Sequence, residues 1–320
     1  MNLRSNQLEI TSNSKIFLSN FWDQNKNGKI SKDTSKELLV NLFEPISRKY
    51  RTPIHISSVF RPPVHLVGKF TDRFSRIILS NSDSFENLQI RHGHFNFSQP
   101  IKGFINIWYT GENVRPPLEQ DWDIFLSFDS HHIDNRNFYF PFWLTGLENT
   151  VSRAQYSIDA MCMDRSSKKM PSKYAALVAS NPEPIRMAFL NFLKLKVEVD
   201  IYGKLGKVVE NKGECISQYK FNLAFENDLY PGYVTEKIFD AWLNKTIPIW
   251  RGLDSEEYLN REAFVDVTSL SFPSIFSIMQ EIASSSDIYD SYVSSPILKR
   301  RFDFNELINK IDSKLESNFQ

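Results

Sequence analysis

Between residues 174 and 267, short apolar runs alternate with amphipathic stretches, and this alternation restricts the possible folds more than any other feature of the chain. The runs YAALVA (174–179), KVEVDIYG (196–203), FNLAFE (221–226), IPIW (247–250) and AFVDV (263–267) have the length and the apolar content of buried strands. Between and after them, helical spacing recurs. Ile185, Ala188, Phe189, Phe192 and Leu193 form one face, Ile238, Ala241 and Trp242 another (helix over about 235–245), and Ile275, Ile278, Met279 and Ile282 a third, with a short helix near 213–218. Ser180-Asn181-Pro182 supplies a helix-start signal after the first strand. Repeated strand–helix–strand units with apolar strands predict a doubly wound parallel sheet, hence an α/β fold.

The first half is less regular. KIFLSNFW (15–22), PIHISSVF (53–60) and GFINIWYT (103–110) read as strands, and Leu38, Leu39, Leu42 and Phe43 as one face of a helix over 35–43. The stretch 60–103, rich in Pro, Ser and Asn, has no assignable order, and Pro116-Pro117 stops regular structure after Gly111-Glu112-Asn113. A polar, basic composition over 150–172 predicts a linker. Two domains are therefore expected, residues 1–155 and 156–320, and the 320-residue chain is long enough for each to bury a core. The segment LKRRFDFNELINKIDSKL (298–315) predicts an amphipathic helix able to pack back on the first domain.

Charge narrows the function classes. Thirty-eight basic residues balance thirty-eight acidic ones, so no net field draws nucleic acid or anionic lipid. Cys162 and Cys215 stand far apart without a paired motif, which argues against a disulfide framework or thiolate zinc site. No run approaches the ~20 apolar residues of a membrane span. The expected location is cytoplasmic, within reach of the inner membrane face.

The densest chemistry lies in FNLAFENDLYPGYVTEK (221–237), where Glu226, Asn227, Tyr233, Glu236 and Lys237 cluster between a strand end and a helix start. In doubly wound sheets ligands bind at that end. A helix N-terminus suits a diphosphate, Lys237 adds a full charge, and Glu236 can accept from sugar hydroxyls. The alternative is a solvated helix cap with a surface ion pair. Arg186, in the first turn of its helix, could chelate phosphate oxygens, although a surface arginine is the ordinary reading of that position alone.

Three further patterns are set aside. Residues 23–34 mimic a calcium loop but end in Thr34 where a bidentate Glu is needed. Asp121-Trp122-Asp123 spells a metal-binding DxD but runs into an apolar strand, so a structural role is expected. His92, His94, His131 and His132 lack companion ligands at metal spacing.

The run FNLAFENDLYPGYVTEKIFDAWLNKTIPIWRG (221–252) resembles the donor-binding signature of the α1,3/4-fucosyltransferases, glycosyltransferase family 10. IWYTGENVRPP (107–117), DWDIFLSFD (121–129), FPFWL (140–144), AALVASNPEPIRMAFLNFLKLK (175–196), VDIYGKLGK (199–207) and SQYKF (217–221) are similar to further family segments, in order. The resemblance implies a GT-B architecture of two Rossmann-like domains facing a central cleft, an acceptor-side first domain and a GDP-fucose-binding second. It implies an inverting transfer of L-fucose to a glycan hydroxyl, α1,3 or α1,4 to GlcNAc or Glc, with Glu112 as general base. Arg186 and Lys237 would hold the donor phosphates, while Glu226, Asn227, Tyr233 and Glu236 contact the donor. The implied partners are GDP-fucose and an oligosaccharide or glycoconjugate acceptor, with no cofactor and no essential divalent metal. Two rival readings remain, a GT-B transferase using another nucleotide sugar and a catalytically silent glycan-binding relative.

Overall fold

The computed structural model describes residues 42–43, 45–46, 49–50, 54–58, 66–67, 77–81, 100, 105–110, 113–130, 133–146, 158–209 and 211–318. These residues form two compact units, one of those from 42 to 145 together with 303–318, the other of those from 146 to 302. The end of the chain, from residue 303, groups with the first unit.

The first unit carries strands β1 (Ile54–Ser58), β2 (Leu66–Val67), β3 (Ile77–Asn81), β4 (Ile105–Tyr109), β5 (Ile124–Ser127) and β6 (Asn137–Tyr139), followed by helix α1 (Phe142–Gly146). Their order in the sheet is β2-β3-β1-β4-β5-β6, with every pairing parallel except β2 with β3. The two strands expected at 53–60 and 103–110 are β1 and β4, while β2 and β3 arise from the stretch that sequence could not order. All five residues of β4 are buried, as an inner parallel strand demands.

Asp123 of the DxD has a structural task in this sheet: its Oδ2 accepts the Asn106 N–H at 2.7 Å. The expected strand at 15–22, the calcium-like loop and the four histidines named above lie outside the described residues.

The second unit begins with α2 (Ile158–Met161) and then alternates β7 (Lys173–Val178), α3 (Pro184–Lys194), β8 (Val199–Tyr202), α4 (Lys212–Ile216), β9 (Tyr219–Phe225), α5 (Glu236–Leu243), β10 (Ile247–Arg251) and β11 (Val265–Asp266). Helices α6 (Phe272–Ser284) and α7 (Ser286–Ser294) follow, and α7 is one that sequence did not anticipate. The sheet is parallel throughout in the order β11-β10-β9-β7-β8. One face of it, with Leu177, Phe221, Leu223 and Ile249, packs on Phe189 and Leu193 of α3 and on Ile275, Met279 and Ile282 of α6. The rings of Phe189 and Phe225 stack at 5.6 Å, joining α3 to the end of β9.

Strand β8 starts later than its apolar run suggests, because the N–H groups of Lys196 and Val197 still close on Leu193 O at the end of α3. The basic segment expected as a linker is docked on this unit from residue 158 onward. Arg165 lies 3.7 Å over the Trp242 ring, and its Nε donates to Val293 O at 2.6 Å.

The last helix, α8 (Phe304–Asn318), belongs to the first unit for reasons of both packing and charge. Leu307, Ile308, Ile311 and Leu315 form its buried stripe. Asp312 accepts from Lys49 Nζ at 2.6 Å and from Tyr50 Oη at 2.9 Å, and Glu316 pairs with Lys49 at 2.7 Å. Among the described residues, no helix is long and apolar enough to cross a membrane.

Candidate active site

In the second sheet β8 lies on one side of β7 and β9 on the other, so the strand order reverses between β7 and β9. Connections leaving such a pair diverge to opposite faces and open a crevice at the C-terminal strand ends. Two helices start there, α3 after β7 and α5 after β9, and their first turns are closed in different ways.

Helix α3 is sealed by its own chain. Glu183 is the N-cap, and its carboxylate accepts the N–H groups of Ile185 at 3.1 Å and Arg186 at 2.6 Å. Pro184 confines Glu183 to extended backbone, so the helix cannot begin earlier, and the cap falls on Glu183 and not on Ser180 or Asn181. A carboxylate already occupies the positive end of this helix.

The buried face of α3 is Arg186, Phe189, Leu190 and Leu193, rotated from the face the apolar pattern suggests, and Ile185 is 41% exposed. Arg186, at 2% exposure, sits beneath the crevice. Its Nη1 donates to Asn181 O at 2.8 Å, and its Nη2 to Phe225 O and to Asn227 Oδ1, the latter at 2.9 Å. One guanidinium thereby ties the loop after β7 to the end of β9. Burial pushes its pKa down, opposed by the fields of Glu183 and Glu226. Asn227 is exposed, with its carboxamide oxygen already turned to Arg186.

Helix α5 has no cap from its own N-cap side chain, that of Thr235. Thr235 turns back instead: its N–H donates to Glu226 Oε1 at 2.9 Å and its hydroxyl to Glu226 Oε2 at 2.7 Å. Glu226 is fully buried and also accepts from Lys237 Nζ at 3.1 Å and from the Trp250 indole at 3.4 Å. A buried carboxylate is tolerable only with donors of this number.

Lys237 Nζ donates its second hydrogen to Thr235 Oγ1 at 2.7 Å, with the Glu236 carboxylate 3.9 Å away. Burial pulls the Lys237 pKa down, but the carboxylates of Glu226 and Glu236 outweigh that pull and hold it above the usual lysine value. The ammonium has three N–H groups, and the third has no hydrogen-bond acceptor among the described residues. Its side chain is 20% exposed. The first turn of α5 thus offers a helix dipole without its own side-chain cap, beside a fixed cation, which is the arrangement that receives phosphate groups.

The loop between β9 and α5 is shaped by Gly232, whose φ of +82° is open to glycine and costly for other residues. Its N–H bonds Leu253 O at 2.8 Å, tying this loop to the end of β10. Tyr233, which follows, is 4% exposed.

The structure therefore brings Arg186, Glu226, Asn227, Tyr233, Glu236 and Lys237 to one end of one sheet. Glu112 lies outside the described residues, three positions beyond the last residue of β4. Sequence reasoning missed Glu183, Thr235 and Trp250. The face of Trp250 was readable from strand alternation, since it stands opposite Ala224 in register. Its indole partner was not, because Glu226 follows a different strand.

Comparison with known proteins bears on this site. Residues 167–302 match the family described as glycosyltransferase family 10 (fucosyltransferase) C-term. The chain is 34% identical over 193 residues to the α-(1,3)-fucosyltransferase FucT of Helicobacter pylori, covering 50% of this chain and 40% of that protein. It is 33% identical over 196 residues to human 4-galactosyl-N-acetylglucosaminide 3-α-L-fucosyltransferase 9, covering 57% and 54%. The matched region thus spans about half the length of these curated relatives. A crystal structure of an α1,3-fucosyltransferase with GDP superposes with a TM-score of 0.56 at 22% identity, covering 86% of this chain and 97% of that one. The same protein class with GDP-fucose gives 0.55 at 21% identity, with the same coverage. With two units, each built on a largely parallel sheet, the fold is of the GT-B class.

Proposed function

We propose that this chain, a relative of the family 10 fucosyltransferases, moves L-fucose from GDP-β-L-fucose to a hydroxyl of a glycan acceptor with inversion at the anomeric carbon. The observation that carries the reading is the start of α5, uncapped by the Thr235 side chain, with the third N–H of Lys237 beside it. The acceptor we favour is GlcNAc or Glc, fucosylated α1,3 or α1,4, in the cytoplasm.

In this reading the diphosphate of GDP lies at the start of α5, where Lys237 and the helix N-terminus meet its charge. Glu236, at the first position of α5 and partly exposed, faces ribose or fucose hydroxyls. Glu112 takes the proton of the acceptor hydroxyl as its oxygen bonds to the anomeric carbon. The bond from that carbon to the β-phosphate oxygen breaks, and the electron pair leaves with GDP. Lys237 then serves twice, since the negative charge on the phosphate grows as the bond breaks. The Glu226–Thr235–Trp250 network holds the ammonium in place, so little reorganisation is needed when that charge develops.

Lys237→Ala is expected to weaken GDP binding by about ten- to a hundredfold, the value of one charge-assisted hydrogen bond to phosphate. The variant also strips the buried Glu226 of its cation, so thermal unfolding is followed beside binding. Calorimetric titration with GDP checks it, and an unchanged isotherm in a folded variant would put the diphosphate elsewhere. Titration with GDP-fucose against other nucleotide sugars decides the donor, and turnover on a glycan array decides whether the chain is a catalyst or a glycan binder.

Turnover is also expected to survive excess EDTA after dialysis. The phosphate charge is met here by Lys237 and a helix N-terminus, and Asp123 is engaged with a backbone N–H. Loss of activity in EDTA that manganese restores would overturn this expectation.

A further inference from the structure

A cavity of about 440 Å³ opens in the second unit beyond the C-terminal ends of β10 and β11, and the transfer chemistry above makes no use of it. Its position follows from the sheet, because Gly252 to Asp254 leave β10 and Thr268 and Ser269 leave β11. Beneath it lie Trp250 and Phe264, both buried, whose rings meet edge to face at 5.4 Å. Gly252 lies so close to them that a Cβ there would come within 2.3 Å of the Trp250 ring.

Three observations mark the cavity as built for a ligand. First, Asp254 organises one wall: its Oδ2 accepts the Leu259 N–H at 2.7 Å and so holds the turn from 254 to 259. Burial pushes its pKa up. Second, that turn carries Glu257 at a φ of +55°, a left-handed backbone that a non-glycine residue adopts at a cost, and it sets the Glu257 carboxylate on the rim. Third, the lining carries both signs of charge, and only part of it is paired. Arg261 and Asp266 are 3.6 Å apart, while Glu257 and Lys299 form no ion pair among the described residues.

Separate donors and acceptors around the cavity suit an uncharged ligand rich in hydroxyls, in which each diol can give one hydrogen bond and take another. A phosphate would meet the carboxylates and be repelled. Trp250 joins this cavity to the donor end, because its ring lines the cavity while its indole N–H reaches Glu226 Oε1.

We infer that this cavity is a carbohydrate subsite that takes one neutral pyranose ring, held by Glu257 and Lys299 over Trp250. That the ring belongs to a transferase substrate rests on the fucosyl-transfer reading. The shared chemistry is the pyranose, and its two sources are the donor's fucosyl ring and a sugar of the acceptor.

The test is saturation-transfer NMR on the full chain with methyl α-L-fucoside and with N-acetyllactosamine, run beside a GDP titration. Two variants are compared with the native chain. Glu257→Gly removes the carboxylate and places at φ +55° the residue that prefers it, so folding is retained, and Lys299→Ala removes the cation. Saturable binding of a sugar is expected, weakened about tenfold or more by each variant, with GDP affinity unchanged. Binding of the fucoside assigns the cavity to the donor, and binding of the disaccharide assigns it to the acceptor. Absence of binding for both sugars, or equal binding in native and variant chains, overturns the inference. Failure of GDP to bind would strike at the donor reading alone.

Discussion

Glu112→Gln is expected to lower turnover by roughly 10²–10⁴-fold, the span usual for removal of a general base. The substitution keeps size and hydrogen-bonding capacity but cannot take the acceptor proton. The position is chemically reasonable for the role: it follows β4 closely, and in the first sheet β4 adjoins β1, whose other neighbour is β3. The strand order therefore reverses beside β4, as it does beside β9 in the second sheet, and loops leaving such points carry ligand chemistry. GDP affinity should barely change, because the diphosphate groups are assigned to α5 of the other unit. Single-turnover rates and GDP titrations on the variant check both halves of the expectation. The product of the native enzyme should carry the α configuration, readable by NMR, since one base and direct displacement leave no covalent intermediate. A variant turning over within a few-fold of native would remove Glu112 from the mechanism.

Arg186→Met should act on stability first. The guanidinium is buried, and its bonds to Asn181 O, Phe225 O and Asn227 Oδ1 hold the ends of two strands together. Methionine fills much of the volume but leaves buried acceptors unmatched and removes the charge that supports Glu226 and Glu183. Loss of one member of a buried polar network costs about 3–5 kcal/mol. At roughly 2–4 °C per kcal/mol for a unit of this size, the melting midpoint should fall by roughly 10 °C. GDP binding would weaken as a consequence, because Asn227 and the end of β9 lose their anchor. Thermal unfolding beside GDP titration separates this from direct phosphate binding. A variant that melts with the native chain but fails to bind GDP would place Arg186 on the ligand.

The two predictions show where sequence and structure divide. The α/β class of the second unit was legible because a parallel strand buried on both faces leaves a strongly apolar run. YAALVA, FNLAFE and IPIW became β7, β9 and β10 with small shifts in their ends. The cluster from Glu226 to Lys237 was legible for a local reason: it lies in one strand–loop–helix segment, and sequence order alone places it at a strand end and a helix start.

Arg186 was different. Its neighbours Ile185 and Ala188 suggested an apolar face that did not include it, and only packing against Phe225 and Asn227, about forty positions away in sequence, turned the arginine inward. The stretch 60–103 concealed β2 and β3 because a short strand acquires its identity from the strands it pairs with, and periodicity over two to five residues carries no signal.

The sequence by itself determined the parallel α/β class of the second half, the segment that carries its polar chemistry and the family it resembles. Each of these is written in local spacing or in a contiguous motif. The tertiary structure alone decided which residues hold α8, since Lys49 and Tyr50 meet Asp312 across more than 260 positions. It also decided that Thr235 turns away from capping its own helix to bind Glu226, and that Trp250 reaches the same carboxylate from a neighbouring strand. A hydrogen bond is fixed by the direction in which a donor points in space, and for residues on different elements that direction exists only once the sheet has formed.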